Sequence, residues 1–197
     1  MITLFIHTFI KFFFLLTPFF LLSTFLSMTR DMNYHMRKKI AFKVAFSLII
    51  ISIILLLLGN QIFMVFGITL NSFRIGTGIL LFLSAKDLVQ GSDIPEAEDP
   101  DQDIAVVPLA IPVAIGPATT GALLVMGGDL PDFIHRVTGI SAVLTAIFCV
   151  GLLLYISGYI EKILKRRGLV ILSKITGLVL AALAAEMVMT GIKGFMK

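Results

Sequence analysis

Apolar residues run through this chain in long blocks separated by short polar or basic turns. Leu4 to Met28 is the first block, interrupted at mid-depth by Thr17-Pro18. A polar turn from Thr29 to Lys39 carries Arg30, Arg37, Lys38 and Lys39. Val44 to Gly59, rich in Ile and Leu, makes a second block with its flanks, and Gly59-Asn60-Gln61 and Gly67 punctuate before a third from about Asn71 to Leu88. The fourth covers Val106 to Met126 and is followed by a polar turn, Gly127 to Arg136. A fifth runs from about Ile140 to Tyr159, Glu161 to Arg167 forms a basic turn, and the sixth spans Leu169 to Ile192. A helix of roughly 20 apolar residues spans a bilayer core, so the pattern predicts an all-α membrane protein with six transmembrane helices. The first block has no Lys or Arg before Lys11 and no small-x-small cleavage site after it, which reads as a retained span rather than a secretory signal.

Between the third and fourth blocks lies Gly91 to Asp103, with Asp93, Glu96, Glu98, Asp99, Asp101 and Asp103. It lacks the sixth-position glycine and twelfth-position glutamate of a calcium loop, and its acidity reads as a solvated linker. The expected organisation is a three-helix unit over residues 1–90, a linker over 91–105 and a second three-helix unit over 106–197.

Composition agrees with the pattern. Of 197 residues 58% are hydrophobic and 14% charged, whereas soluble domains average about a quarter charged. The net charge of +4 comes from basic residues clustered in turns, with no basic face for nucleic acid. With the N-terminus outside, the inner turns hold Arg30, Arg37, Lys38, Lys39, Lys162, Lys165, Arg166 and Arg167, and the outer turns and tails mainly Arg74, Arg136, Lys193 and Lys197. The positive-inside bias then places both termini outside and the linker inside. The one cysteine, Cys149, lies in an apolar run and reads as a structural thiol.

Pro108 to Gly121 holds three of the seven prolines and two glycines amid apolar residues and threonines. Proline removes a backbone N–H and clashes with the carbonyl four residues back, so this stretch predicts a broken intramembrane helix. Irregular backbone at membrane depth persists only where protein or a water-lined cavity surrounds it. Sliding the chain on itself reveals an equivalent break. Thr17-Pro18 falls on Gly116-Pro117 and Arg37 on Arg136 at a spacing of 99. Gly67-Ile68 falls on Gly168-Leu169 at 101, and Arg74, Leu80, Leu83 and Ala85 fall on Lys174, Leu180, Leu183 and Ala185 at 100. Each unit has an odd number of spans, so the second enters the membrane from the opposite side. The expected architecture is two inverted three-helix repeats with helices 1 and 4 broken at Pro/Gly, the plan of many secondary transporters.

Phe12 to Thr29, Phe73 to Leu88, Pro108 to Gly121 and Lys174 to Gly191 together resemble the MarC family of six-span bacterial inner-membrane proteins. The most specific part is Pro-Leu-Ala-Ile-Pro-x-x-x-Gly-Pro at Pro108 to Pro117. The first half departs: where the family shows Asn-Pro-x-Gly and a later proline, Thr17-Pro18-Phe19-Phe20 and Ser23 stand here, and Phe20 narrows that half of the site. The resemblance implies a bacterial inner (plasma) membrane location and transport of a small neutral amino acid or similar solute. A diverged member that scaffolds or modulates partners without transport is the alternative.

A neutral amino acid carries a carboxylate and an ammonium. A half-helix starting near Pro117 offers N–H groups and a positive dipole end to the carboxylate. Carbonyls freed before Pro18, Pro112 and Pro117 accept from the ammonium, Thr17, Thr119 and Thr120 add hydroxyls, and Gly116 lets a ligand approach the backbone. Against this stand an ordinary proline kink at Pro18 and Pro112, and bonding of Thr119 and Thr120 to a helix turn or neighbouring helix. Glu186 and Asp87 are candidates for carrying a coupling ion, with snorkelling to the interface the alternative for Asp87 and the reading for Lys86 and Lys11. The three histidines, His7, His35 and His135, are isolated, so neither a metal site nor a cofactor is expected. Ser27, Ser47, Ser52 and Ser141 lack a candidate base, which argues against an enzyme, and the spans carry no charged rings of a channel. Gly177 and the small residues Ala181 to Ala185 suit close helix packing, with a homodimer as the weaker option.

Overall fold

The computed structural model describes residues 1–91, 105–129 and 132–196, without the side chains of residues 60, 105–108, 112, 165 and 166. The acidic linker beyond Gly91 lies outside the described residues. Everything described is helical or a short connection: α1 Ile2–Leu15, α2 Pro18–Met28, α3 Tyr34–Phe66, α4 Leu70–Gln90, a π-helical segment Ala105–Ala114, α5 Pro117–Asp129, α6 Phe133–Tyr155 and α7 Ser157–Phe195.

Local signals set several boundaries. Asn33 and Thr69 cap α3 and α4, their side chains accepting from the N–H groups of Met36 at 2.9 Å and Ser72 at 3.2 Å. Asp132 caps α6 in the same way. The His135 backbone N–H, and then its ring, bind the charged carboxylate and hold it below the usual range. Gly67 closes α3 with φ +63, a left-handed conformation that glycine adopts without a Cβ clash.

Among the described residues four helical stretches are long and apolar enough to cross a membrane: Ile2–Met28 (taken across the α1–α2 break), Tyr34–Gly59, Phe133–Tyr155 and Arg167–Phe195. The third and fourth expected spans are of another kind. In α4 the 21 residues include Arg74, Lys86 and Asp87, and the fourth block is divided between the π-helical segment and α5. Two expected turns also need correcting. Glu161 to Arg167 is helical inside α7, because Glu, Lys and Arg are good helix formers and charge alone does not stop a helix. The fifth block ends at Tyr155, and only Ile156 separates α6 from α7. Gly59 does not interrupt α3 either.

Contacts sort the helix ends into two groups. At one end Arg37 donates to the carbonyls of Thr29 and Arg30, both at 2.9 Å, and lies 3.7 Å from Glu161, while Lys38 donates to the Tyr155 hydroxyl at 2.9 Å. At the other end Arg74 pairs with Asp129, and Gly194 packs on Asn71. Met1 approaches Thr138 there, so both chain termini share this end.

The tightest seam joins α4 and α7. On α4, Asn71, Gly78 and Ala85 recur every seven residues, facing Gly191, Ala184 and Gly177 of an antiparallel α7. A Cβ on Gly78 would sit 3.0 Å from the Ala184 carbonyl, one on Gly177 2.9 Å from that of Ala85, and one on Gly191 2.8 Å from that of Asn71. A seven-residue repeat of small residues lets two helices touch backbone to backbone as they coil. Gly59 on α3 and Gly127 on α5 do the same, each leaving room only for the other helix's carbonyls at Leu124 and Leu56. The outward face of α3 presents Phe42, Phe46, Ile50, Ile54 and Leu57, while Ala41, Val44, Leu48 and Leu56 are buried. So continuous an apolar outer stripe suits lipid rather than water.

Replacing Gly177 by Leu is expected to cost about 1–3 kcal/mol, since neither helix can yield its backbone at that seam. The detergent-solubilised variant should melt well below the native protein, whereas Ile175→Leu on the exposed face should not change it. Equal melting temperatures for both would show that the α4–α7 seam is looser than described.

Candidate functional site

The site begins with the two places where the backbone leaves the helix. α1 and α2 have 14 and 11 residues. At 1.5 Å per residue they rise about 21 and 17 Å, so neither alone crosses a core of about 30 Å. Between them Thr17 adopts φ 45, ψ 56, making it the one non-glycine residue with positive φ among those described. A β-branched residue in the left-handed region is strained and persists only where its surroundings hold it. Pro18, with no N–H to leave unpaired, opens α2, and the Thr17 carbonyl accepts the Leu21 N–H at 2.9 Å.

The second break has the same grammar. The π-helical segment closes with the Ile115 N–H donating to the Ala110 carbonyl at 2.9 Å, a five-residue spacing. Gly116 follows, Pro117 opens α5, and the Gly116 carbonyl accepts the Thr120 N–H at 2.9 Å. Helical winding therefore resumes at a proline in both halves, 99 residues apart.

One hydrogen bond ties the breaks together. Leaving the helix at Leu16 frees the Leu15 carbonyl, and the Thr119 hydroxyl from the first turn of α5 donates to it at 3.0 Å. Both residues are buried, at 2% and 4% exposure, so water does not replace this donor.

Around the breaks lies a cavity of about 350 Å³. Thr17, Gly116, Pro117, Thr119 and Asp87, all expected at the site, line it together. The Thr17 hydroxyl is buried with no hydrogen-bond partner in the protein. Among the described residues Asp87 supplies the one charge in the lining. α2 and α5 both begin here, so unpaired N–H groups and two positive dipole ends stand beside freed carbonyls. Such a cavity can hold both an anionic and a cationic group without a metal. Among the described residues no group of three His, Cys, Asp or Glu side chains could hold a metal ion.

The other expected residues lie elsewhere. Pro18 is buried behind the break, and Thr120 is half-buried; neither lines the cavity. Pro112 falls in the π-helical segment, and its side chain is outside the described residues. Glu186 lines a different cavity of about 270 Å³ with Lys11, Arg74 and Asp129, separate from Asp87. Lys11, expected to snorkel outward, faces that cavity. Among the lining residues not anticipated are Leu15 and Ser84; Ser84 is three positions before Asp87, and that helical spacing is the signal that marks it.

Comparison with known proteins places this arrangement among relatives. Residues 2–196 match the family described as MarC family integral membrane protein. A UPF0056 membrane protein of Aquifex aeolicus (strain VF5) is 29% identical, over 98% of this chain and 94% of its own length. The UPF0056 membrane protein YhcE of Escherichia coli (strain K12) is 30% identical over 94% of this chain and 90% of its own. One from Buchnera aphidicola subsp. Baizongia pistaciae (strain Bp) is 32% identical over 97% and 93%. No solved structure gives a significant match.

Thr119→Val keeps the shape of the side chain and strands the Leu15 carbonyl, at an expected cost of about 1–3 kcal/mol. Thr119→Ser restores the donor and should recover most of that loss. Thermal unfolding in detergent reads both, and a Val variant as stable as the native protein would mean that the carbonyl finds another donor.

Proposed function

The chain belongs to the MarC family of integral membrane proteins, and from that membership we propose that it is a plasma-membrane secondary transporter moving a small neutral amino acid or similar solute by alternating access. The observation that carries the proposal is the pair of helix breaks at Thr17-Pro18 and Gly116-Pro117, joined by the Thr119–Leu15 hydrogen bond and facing one cavity. Broken helices at equivalent places in two halves are how inverted-repeat carriers build a solute site without permanent charge.

The packing supports an inverted repeat. α1 lies on α6 as the π-helical segment lies on α3, and α2 lies on α7 as α5 lies on α4. The corresponding helices α4 and α7 run antiparallel. Each broken pair then counts as one crossing, α4 with its exposed Ile79, Leu80, Phe82 and Leu83 is another, and six passes leave both termini at one end. The positive-inside bias assigns that end to the outside.

In the cavity the solute carboxylate faces the N-termini of α2 and α5. The ammonium faces the freed carbonyls and Asp87, and the Thr17 hydroxyl contacts either group. Asp87 is also the group placed to exchange a coupling ion with the solution. A second reading, a family member that modulates partners without transport, is favoured by Phe20, whose ring lines the cavity and takes up part of it.

Reconstitution in liposomes with glycine, alanine, serine and threonine, with and without ion gradients, tests the proposal. Thr17→Val should lower flux about tenfold, the effect of one hydrogen bond to a charged group. Absence of flux with all four solutes under every gradient would leave the second reading standing.

A further inference from the structure

We propose that the cavity walled by Lys11, Arg74, Asp129 and Glu186 is a second solute site on the same path, selective for zwitterions of the α-amino-acid type. The proposal rests on the transport reading and adds a residue set that recognises both charges of the solute.

The four charged residues come from four elements, α1, α4, α5 and α7, so their meeting is a property of the fold. Lys11 lies nine residues beyond the start of α1, about 14 Å along a helix rising 1.5 Å per residue. An ionisable group at that depth is costly unless a partner or a wet cavity receives it. Arg74 already has a partner in Asp129, and its side chain is only 13% exposed. Among the described residues, Lys11 and Glu186 have no ion-pair partner within 4.0 Å. The cavity thus offers one uncommitted cation and one uncommitted carboxylate, beside a closed ion pair.

The walls sum to zero charge, two cations against two carboxylates. A monovalent ion entering this space would leave one wall charge over-compensated and the other bare. A solute with an ammonium and a carboxylate meets both and leaves the balance unchanged. Thr8 and Thr190 add hydroxyls, and about 270 Å³ admits a solute of several heavy atoms.

Position relates this space to the cavity at the helix breaks. Phe12, Ala122 and Leu183 line the charged cavity, and Leu15, Ala118 and Leu180 line the other. On α1, α5 and α7 alike, a single helical turn of apolar packing separates the two. A solute crossing that layer passes from a site of full charges to one of dipoles and hydroxyls.

The test is chemical labelling of Lys11 by an amine-reactive ester in the reconstituted protein, read by mass spectrometry relative to the exposed Lys162 so that reagent consumed by free amines cancels. L-Alanine should slow labelling about tenfold at saturation, whereas propionate and ethylamine, each lacking one charge, should not. In Glu186→Gln the uncommitted cation remains alone, so propionate should now protect Lys11. A purely structural charge network does not produce that exchange of ligands. Should the variant fail to fold, the native labelling decides by itself. Alanine flux without protection of Lys11, or equal protection by alanine and propionate in the native protein, would overturn the second site and leave the transport reading intact. Absence of both flux and protection would overturn both.

Discussion

A backbone carbonyl released inside a membrane must find a donor, and the structure turns on how one such carbonyl does so. Leu15 loses its α-helical partner, the Phe19 N–H, because the chain turns out of the helix at Thr17 before Pro18, and the Thr119 hydroxyl, 104 residues away, takes that partner's place. The bond fastens the end of α1 to the first turn of α5. It therefore sets the distance between the two breaks, and with it the shape of the cavity they enclose. Thr17 keeps its left-handed conformation in the same framework. A strained residue carrying an unpartnered buried hydroxyl persists only where the surrounding helices do not relax.

Those helices do not relax because their seams have no slack. α5 is wedged against α3 at Gly59 and Gly127, and against α4 where Gly121 meets the Thr77 side chain. α4 in turn is locked to α7 by small residues at seven-residue intervals. Without a hydrophobic drive between helices in lipid, such close approach is what holds a bundle together. α5, from the divided fourth block, is largely buried among the others, whereas α4 turns Ile79, Leu80, Phe82 and Leu83 outward as α3 does its own apolar face.

Two cavities on either side of one apolar layer give the interior a graded character. One is lined by full charges from four helices, the other by hydroxyls, helix ends and Asp87. This gradient joins the transport reading to the charge cluster, since a zwitterion is compatible with both environments and a bare ion is not. Phe20 lines the cavity beside the breaks and limits its free space.

Much of this was legible in the residues themselves. Long apolar blocks announced the membrane, and Thr17-Pro18 and Gly116-Pro117 announced both breaks at their positions, because proline acts through its own covalent structure and needs no context. Caps at Asn33, Thr69 and Asp132 are equally local. The helical course of Glu161 to Arg167 is not legible in its charge, which marks a membrane boundary but does not end a helix. Which donor would rescue Leu15, whether Thr119 or Thr120 would face inward, and that Lys11 and Glu186 would share a space were matters for the tertiary structure alone. Each depends on how helices distant in sequence rotate and approach, and periodicity within one helix carries no information about the helix it will meet.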